Sequence, residues 1–292
     1  MSHAARLRSL LASGRMIVAP GALDCITARA VARAGFSAAY MTGAGTSMSL
    51  GYPDYGLITM SEMVENASRM ANSIDIPLIS DADTGYGNEL NVFRTVQEFE
   101  RAGVAAIHLE DQLFPKTCSY AVGKKIELVS REDYVARIRA AVAARKSKEF
   151  CIIARTDAYK VGGFDEAIGR ARLALSNGAD VAYIDGLQTM ADVEAVPKRV
   201  QGPCLTDMMF NTMSADFTLE TAERFGYAIA TVPGATLVGI FEICDQHLAG
   251  LKQGKLPPAV EGGPSALFAR FGAADWDARR TAFRDPIGTD RK

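Results

Sequence analysis

Apolar strand-like runs alternate with helix-like segments along most of the chain, and this alternation limits the fold more than any other feature of the sequence. Helical crossovers join strands that run parallel, since two parallel neighbours cannot be linked by a tight hairpin. The runs that resemble strands span residues 16–20, 37–41, 77–81, 104–110, 150–156, 181–185, 204–206 and 228–232. Eight such units predict an α/β fold of the (β/α)8 TIM barrel type, with a doubly wound open sheet as the alternative.

Polar side chains at the ends of these strands favour the barrel over the open sheet. They are Thr42, Asp81, Asp83, Glu110, Arg155, Asp157, Asp185, Thr206 and Asp207. In a barrel the C-terminal ends of all strands converge on one mouth, where active sites lie. A dinucleotide-binding fingerprint is not convincing, because residues 43–48 lack the third glycine and no helix pattern follows them.

The chain changes character after Gln253. Prolines and glycines at 257–258 and 262–264 separate two short helical pieces, at 267–271 and 275–283. Their aromatic side chains, Phe268, Phe271, Trp276 and Phe283, need a surface to cover them. We therefore predict a catalytic barrel domain at 1–253 and a helical tail at 254–292 that packs on the barrel or on a neighbouring subunit.

Composition excludes several functional classes. The net charge of −2 and the 23% of charged residues give no basic field for nucleic acid. No run of 18 apolar residues and no signal-type apolar core occurs, so we expect no membrane partner and a cytoplasmic protein. The five cysteines are scattered without a CxxC pair, which predicts reduced thiols.

Carboxylates at the ends of two neighbouring strands predict a metal site. Asp81 and Asp83 follow one apolar run, and Glu110 follows the next about 25 residues later. Acids in such places are also common as helix N-caps. Because Mg²⁺ prefers oxygen ligands and keeps several waters, adjacent strand ends with these carboxylates form a plausible Mg²⁺ platform.

Several motifs, in this order, carry a resemblance to a known family. They are Tyr-Met-Thr-Gly-Ala at 40–44, Pro-Asp at 53–54, Asp-Ala-Asp-Thr-Gly-Tyr-Gly-Asn at 81–88, Leu-Glu-Asp-Gln at 109–112 and Ala-Arg-Thr-Asp-Ala at 154–158. From about residue 15 to 253 the chain resembles the isocitrate lyase and phosphoenolpyruvate mutase superfamily, most closely its short methylisocitrate lyase-type members. The resemblance implies a modified (β/α)8 barrel, Mg²⁺ or Mn²⁺ as cofactor, and a homotetramer in which C-terminal helices are exchanged.

The same resemblance assigns the metal-binding residues. It places Asp83 in direct contact with the metal, while Asp81, Glu110 and Asp54 hold the waters of the ion. His108, inside a predicted strand, is expected to be a core residue or to support the site from behind rather than to act as a base.

The resemblance also assigns residues to a small carboxylate substrate. The backbone of Thr42, Gly43 and Ala44 would donate hydrogen bonds to the carboxylate of a 2-oxo acid. Arg155 would bind a substrate carboxylate or a developing oxyanion, which suits its planar fork of donors. Tyr40 would handle the proton of the hydroxyl that becomes the carbonyl, and Asp185 would contact the substrate.

The loop at 113–128 decides between members of the family. Cys118 is retained from the lyase pattern, but the Gly-His pair that follows it in lyases is replaced by Ser119 and Tyr120. Cys118 is the candidate acid that protonates a carbanion, since a thiol is an effective donor to a far more basic carbon, and Lys116 is placed to stabilise negative charge. Lyases also favour Glu at the position of Asp185 and Asn near Thr206 or Asp207.

The sequence thus predicts a Mg²⁺-dependent carbon–carbon lyase that cleaves a small 2-hydroxy di- or tricarboxylate, such as 2-methylisocitrate or dimethylmalate, into a 2-oxo acid and a carboxylic acid through an enolate. The alternatives are a phosphonomutase of the phosphoenolpyruvate mutase or carboxyphosphonate type, and an oxaloacetate decarboxylase or hydrolase. A barrel that binds a 2-oxo acid without catalysis is the non-enzymatic alternative.

Overall fold

Eight parallel strands close into a barrel in sequence order in the computed structural model, which describes residues 1–118, 125–209 and 216–284. The strands are β1 Ile17–Ala22, β2 Ala39–Met41, β3 Leu78–Asp81, β4 Ala106–Leu109, β5 Cys151–Thr156, β6 Val181–Ile184, β7 Cys204–Asp207 and β8 Ile229–Val232. The first strand pairs in parallel with the last, from Ile17 opposite Ile229 to Pro20 opposite Val232. The predicted barrel is confirmed, and the open sheet is wrong.

Helices cross between the strands and surround the barrel. They are α1 His3–Ala12, α2 Cys25–Arg33, α3 Gly43–Ser49, α4 Met60–Ala71, α5 Glu89–Arg101, α6 Arg131–Ala144, α7 Ala158–Ser176, α8 Met190–Val200, α9 Leu219–Phe225, α10 Gly234–Lys252, α11 Gly263–Ala269 and α12 Ala273–Arg284. The capping box predicted for α4 is present, since the Thr59 N–H donates to Glu62 Oε2 at 2.7 Å and Thr59 Oγ1 accepts from the Glu62 N–H at 3.3 Å.

The segment after β2 is a helix, which was not predicted from the sequence. The Thr42 hydroxyl caps α3 by accepting from the Gly45 N–H at 3.3 Å. A Cβ on Gly45 would lie 2.7 Å from Thr42 Cγ2 and 3.1 Å from Leu23 Cβ. Close packing therefore requires small residues here, although glycine has a low helix propensity that hides the helix in the sequence.

Side chains from all eight strands meet in one buried apolar cluster, which therefore fills the interior of the barrel. Its strand residues are Ile17, Ala19, Tyr40, Ile79, Ala106, Cys151, Ile153, Val181, Tyr183, Leu205 and Ile229. Such layers make a barrel a packed core rather than a pore. A second cluster packs α2, α4 and α5 against the outer face of the neighbouring strands.

The chain divides into two compact units, Met1–Gly239 and Ile240–Lys292. The first unit holds the complete barrel, and the second holds α11, α12 and most of α10. Phe268, Trp276 and Phe283 of the second unit are 67%, 65% and 85% exposed. Within the described ranges no helix is long and apolar enough to cross a membrane.

A buried ion pair connects the end of β4 to the end of β5. Asp111 accepts hydrogen bonds from Thr156 Oγ1 at 2.5 Å, from the Asp157 N–H at 2.9 Å and from Arg170 Nη1 at 3.3 Å. All four residues are buried. These contacts fix the backbone that carries Arg155 into the barrel mouth.

Replacing Asp111 by alanine is expected to destabilise the protein by about 3 kcal/mol, because it leaves the buried Thr156 and Asp157 donors without their acceptor and leaves Arg170 with Glu166 as its one carboxylate partner among the described residues. Chemical denaturation followed by circular dichroism measures the effect. The matched control is Asp165→Ala, which removes an aspartate whose side chain is 87% exposed and whose ion pair with Arg199 contributes little. A loss no larger than that of the control would contradict the prediction.

Candidate active site

The C-terminal ends of the strands enclose a pocket of about 340 Å³. Ten of the twelve predicted site residues line it: Tyr40, Thr42, Ala44, Asp54, Asp81, Glu110, Lys116, Cys118, Arg155 and Asp185. The remaining two lie directly behind this lining. Asp83 pairs with Lys116, and Gly43 packs on the Asp81 carboxylate. The structure therefore brings all the predicted residues together in one place, as the barrel geometry required.

The backbone at the end of β3 holds its two aspartates in a defined arrangement. The Asp83 N–H donates to Asp81 Oδ1 at 2.9 Å, and Asp83 itself has a φ of 48°. A positive φ is uncommon for a residue with a side chain and concentrates at functional sites. Burial raises the pKa of Asp83 to about 6. Burial also acts on Asp81, but neighbouring positive charge and this N–H lower its pKa.

Lys116 reaches from the loop after β4 into the carboxylates. Its ammonium pairs with Asp83 and lies 3.0 Å from Asp54 Oδ1. Burial alone would lower the pKa of Lys116, but Asp83 and Glu110 raise it well above its ordinary value. The side chain therefore stays charged, and it neutralises part of the negative charge at this side of the pocket.

The carboxylates at 54, 81, 83 and 110 fit a hydrated divalent cation. Burial raises the pKa of Glu110 well above its ordinary value, and neither of its carboxylate oxygens accepts a hydrogen bond from the described residues. Such a buried acceptor pair is suited to a water or a cation. In the described part of the chain, no three acid, imidazole or thiol groups lie close enough to hold one ion.

His108 supports Tyr40 from behind the pocket. Its Nε2 lies 2.8 Å from Tyr40 Oη, and its Nδ1 lies 3.5 Å from Asp81 Oδ1. Burial lowers the pKa of His108 to about 4, so the ring is neutral at pH 7 and has one acceptor nitrogen. Burial likewise raises the pKa of Tyr40 well above its ordinary value, which keeps the phenol protonated. The predicted supporting position of His108 agrees with this geometry, whereas its contact with Tyr40 was not predicted.

Arg155 lies on the opposite side of the pocket. It makes a two-pronged ion pair with Asp157, Nε to Oδ2 at 3.1 Å and Nη2 to Oδ1 at 2.9 Å. Asp185 Oδ2 and Glu110 Oε2 each lie 3.4 Å from the guanidinium. Arg155 is thus part of a structural ion pair and also lines the pocket.

The Tyr183 hydroxyl connects two acids above the apolar layer of the barrel. It donates to Asp185 Oδ1 at 2.8 Å and lies 3.1 Å from Asp207 Oδ2. Sequence reasoning missed Tyr183, although its position two residues before Asp185 on the same strand places both side chains on one face.

Cys118 lies at the pocket as a half-buried free thiol. The preceding residue fixes the loop, since the Thr117 N–H donates to Gln112 Oε1 at 3.0 Å. Gln112 had not been predicted as a site residue, although it is the last residue of the Leu-Glu-Asp-Gln motif that contains Glu110. Ser119 and Tyr120, the two substitutions that distinguish this loop from the lyase pattern, lie outside the described residues.

Gly43→Ala is expected to reduce kcat/KM by about 100-fold with little effect on folding. Its new Cβ would press on the Asp81 carboxylate, with Asp81 Cγ only 2.9 Å away, and small displacements of a catalytic group can cost that much. Steady-state kinetics and thermal melting of the variant measure both effects. Gly239→Ala is the matched control, because a Cβ there meets nothing within 4 Å. Unchanged kinetics in Gly43→Ala would show that Asp81 need not be held in place.

Several known proteins are similar to this chain in sequence and in fold. A profile of the phosphoenolpyruvate phosphomutase family matches residues 7–247. The 2,3-dimethylmalate lyase of Eubacterium barkeri is 43% identical over 238 residues, which cover 81% of this chain and 82% of that protein. The 2-methylisocitrate lyase of Aeropyrum pernix is 41% identical, and the aligned region covers 79% of this chain and 73% of that protein. A solved structure of oxaloacetate acetylhydrolase in complex with the inhibitor 3,3-difluorooxalacetate is 37% identical, with a TM-score of 0.91 over 98% of this chain and 99% of that one.

Proposed function

The chain belongs to the isocitrate lyase and phosphoenolpyruvate mutase superfamily, and on that premise we propose that it is a Mg²⁺-dependent lyase that cleaves a carbon–carbon bond in a small 2-hydroxy di- or tricarboxylate. Two relatives support the proposal, a 2,3-dimethylmalate lyase at 43% identity and a 2-methylisocitrate lyase at 41%. The observation that carries the proposal is the meeting, in one pocket, of a thiol, a buried tyrosine and a set of carboxylates. Each of these groups has a separate task in a retro-aldol cleavage.

Binding of the substrate uses both sides of the pocket. The backbone N–H groups of Gly43 and Ala44 at the start of α3 donate to the carboxylate next to the substrate hydroxyl, with the helix N-terminus favouring the negative charge. Thr42 contributes its hydroxyl, since its own N–H already donates to the Ala22 carbonyl oxygen at 3.1 Å. Arg155 binds the carboxylate of the second product half. Asp83, and through water Asp81, Glu110 and Asp54, would hold a divalent cation, which would acidify the substrate hydroxyl when bound.

Tyr40 and His108 move the hydroxyl proton, which gives His108 the role of a base that was not expected from the sequence. The substrate hydroxyl gives its proton to Tyr40 Oη as the phenol passes its own proton to His108 Nε2, 2.8 Å away. The nearby Asp81 carboxylate stabilises the imidazolium that results. As the carbonyl forms, the carbon–carbon bond breaks and its electron pair moves into the carboxylate of the second half, giving an enolate.

Cys118 completes the reaction by protonating the carbon. A thiol is a strong enough acid to protonate an enolate carbon. The thiolate that results lies in the same loop as the positively charged Lys116. The loop residues 116–118 line the pocket and exclude water while the enolate exists. The products are a 2-oxo acid and a saturated carboxylic acid.

Hydrolysis of oxaloacetate is the second candidate function. A specific observation favours it, namely the TM-score of 0.91 with an oxaloacetate acetylhydrolase. In that reaction water would attack the carbonyl carbon, the same carbon–carbon bond would break, and an acetate enolate would leave and be protonated. Tyr40, Cys118 and Arg155 would have the same positions relative to the substrate in both reactions. The identity of the products therefore distinguishes the two functions.

The proposed function is tested by release of a 2-oxo acid from a panel that contains 2,3-dimethylmalate, 2-methylisocitrate and oxaloacetate. We expect turnover of one or more of the 2-hydroxy acids with Mg²⁺, and loss of turnover when a chelator removes the metal, with recovery on adding Mn²⁺ or Mg²⁺. Formation of oxalate and acetate from oxaloacetate alone would establish the second candidate. Turnover that persists after complete metal removal would contradict the proposal.

We also propose a homotetramer with exchanged C-terminal helices. The exposed aromatic side chains at 268, 276 and 283 support it, since isolated chains seldom expose so many large apolar groups.

A further inference from the structure

Asp207, at the end of β7, carries a carboxylate oxygen that has no partner. Its Oδ1 is inaccessible to solvent and accepts no hydrogen bond from the described residues, although Asp207 lines the pocket. Its Oδ2 shares the Tyr183 hydroxyl, at 3.1 Å, with the closer Asp185 Oδ1, at 2.8 Å. A phenol has a single proton and cannot satisfy both carboxylates at once.

The charges around Asp207 leave it without a counterion. The described lining of the pocket holds two cationic side chains, Lys116 and Arg155, against five carboxylates: Asp54, Asp81, Glu110, Asp185 and Asp207. Lys116 is paired with Asp83 and Asp54, and Arg155 forms its two-pronged pair with Asp157. Since Arg155 is already assigned to the carboxylate of the second product half, a further substrate carboxylate directed at Asp207 would face two acids with no cation of the described lining left to pair with it.

The ionisation of Asp207 agrees with this geometry. Burial, and then the adjacent Asp185, raise the pKa of Asp207 to about 7. Burial and the neighbouring acid thus outweigh the stabilisation that the Arg155 charge and the Tyr183 hydroxyl give to the ionised carboxylate. A ligand that brought a donor to the Asp207 carboxylate would reduce this penalty, whereas a ligand that brought a second anion would increase it.

We propose that Asp207 determines specificity, by selecting 2-hydroxy acids whose side group ends in a hydrogen-bond donor, a hydroxyl or an ammonium, over those whose side group ends in a carboxylate. This inference rests on the proposed lyase function and names its substrate class. The reaction itself is unchanged, since Asp207 contacts the side group of the substrate and not the bond that breaks. A site built to pair with a substrate donor rejects analogues that lack it more strongly than an apolar pocket rejects a missing methylene.

The test uses malate-type substrates that differ only at the end of the substituent on C3, which is carboxymethyl, 2-hydroxyethyl, 2-aminoethyl or ethyl. Affinity is measured by calorimetry with Mg²⁺ in the Cys118→Ser background, so that no turnover is needed, and kcat/KM is measured in the wild-type enzyme. We expect the hydroxyethyl or aminoethyl compound to bind at least tenfold more tightly than the carboxymethyl one. A preference for aminoethyl over hydroxyethyl identifies the donor as an ammonium, and similar affinities show that a hydroxyl suffices.

Asp207→Asn provides the decisive comparison, because it keeps the shape of the side chain and adds an amide donor. We expect this variant to lose the preference and to gain at least tenfold in affinity for the carboxymethyl compound. The control Asp165→Asn makes the same change in charge outside the pocket and should leave the ratio unaltered. The inference is overturned if the wild type favours the carboxymethyl compound, if Asp207→Asn leaves the ratio unchanged, or if none of the four compounds binds. Selective binding without any turnover would support the inference and overturn the proposed lyase activity.

Discussion

Replacing Asp83 by asparagine is expected to reduce kcat/KM by about 1,000-fold or more. The substitution removes the carboxylate proposed to contact the divalent cation, whose stabilisation of developing charge is worth several kcal/mol, and about 4 kcal/mol corresponds to that factor. It also removes a partner of the Lys116 ammonium in the middle of the site. Asparagine tolerates the positive φ of 48° at this position, so the backbone is expected to keep its conformation.

Steady-state kinetics over a range of Mg²⁺ concentrations measure the effect, and thermal melting with and without Mg²⁺ reports on metal binding separately. The wild type should gain stability with added Mg²⁺, and the variant should gain much less. Asp165→Asn is again the matched control, since it makes the same chemical change at an exposed position. Turnover of Asp83→Asn within threefold of the wild type would remove Asp83 from the proposed metal site.

The second large effect is expected for Cys118→Ser, which should lower kcat by 100-fold to 10,000-fold, the usual range for removal of a general acid. Serine has nearly the shape of cysteine but is a far weaker acid, so protonation of the enolate carbon becomes slow. Substrate affinity should change little, because Cys118 is not among the groups proposed to bind the carboxylates.

The exposed thiol of Cys244 supplies the control for this variant, since Cys244→Ser makes the same substitution outside the pocket and should retain full activity. Rapid-quench measurements of the two variants separate binding from the chemical step. Activity of Cys118→Ser above half that of the wild type would show that another group gives the proton, and would remove the main reason for assigning this loop to a lyase.

Much of the site could be predicted because a barrel converts sequence order into spatial proximity. Asp81, Glu110, Arg155 and Asp185 follow different strands, yet the closed sheet places them around one mouth. Their identity as polar residues at strand ends was therefore sufficient to group them without any contact information.

Other features depend on contacts between residues that are far apart in the sequence, and no local sequence pattern indicates such contacts. The helix α3 escaped prediction because its glycines are required by close packing against Leu23 and Asp81, which overrides their low helix propensity. The pairing of Lys116 with Asp54 and Asp83 depends on how an irregular loop returns over the barrel. The shared hydroxyl of Tyr183 could not be foreseen, because the alignment of β6 with β7 sets its distance from Asp207.

Proton NMR of the reaction in D2O is the most direct test of the proposed carbon–carbon cleavage through an enolate. With Mg²⁺ and the 2-hydroxy acid of the panel that is turned over fastest, we expect a 2-oxo acid and a carboxylic acid in equal amounts. The carboxylic acid should carry a single deuteron on the carbon that was released, delivered from the exchanged Cys118 thiol. Products without that deuteron, or conversion of phosphonopyruvate or loss of CO2 with no cleavage of any 2-hydroxy acid, would contradict the proposed cleavage.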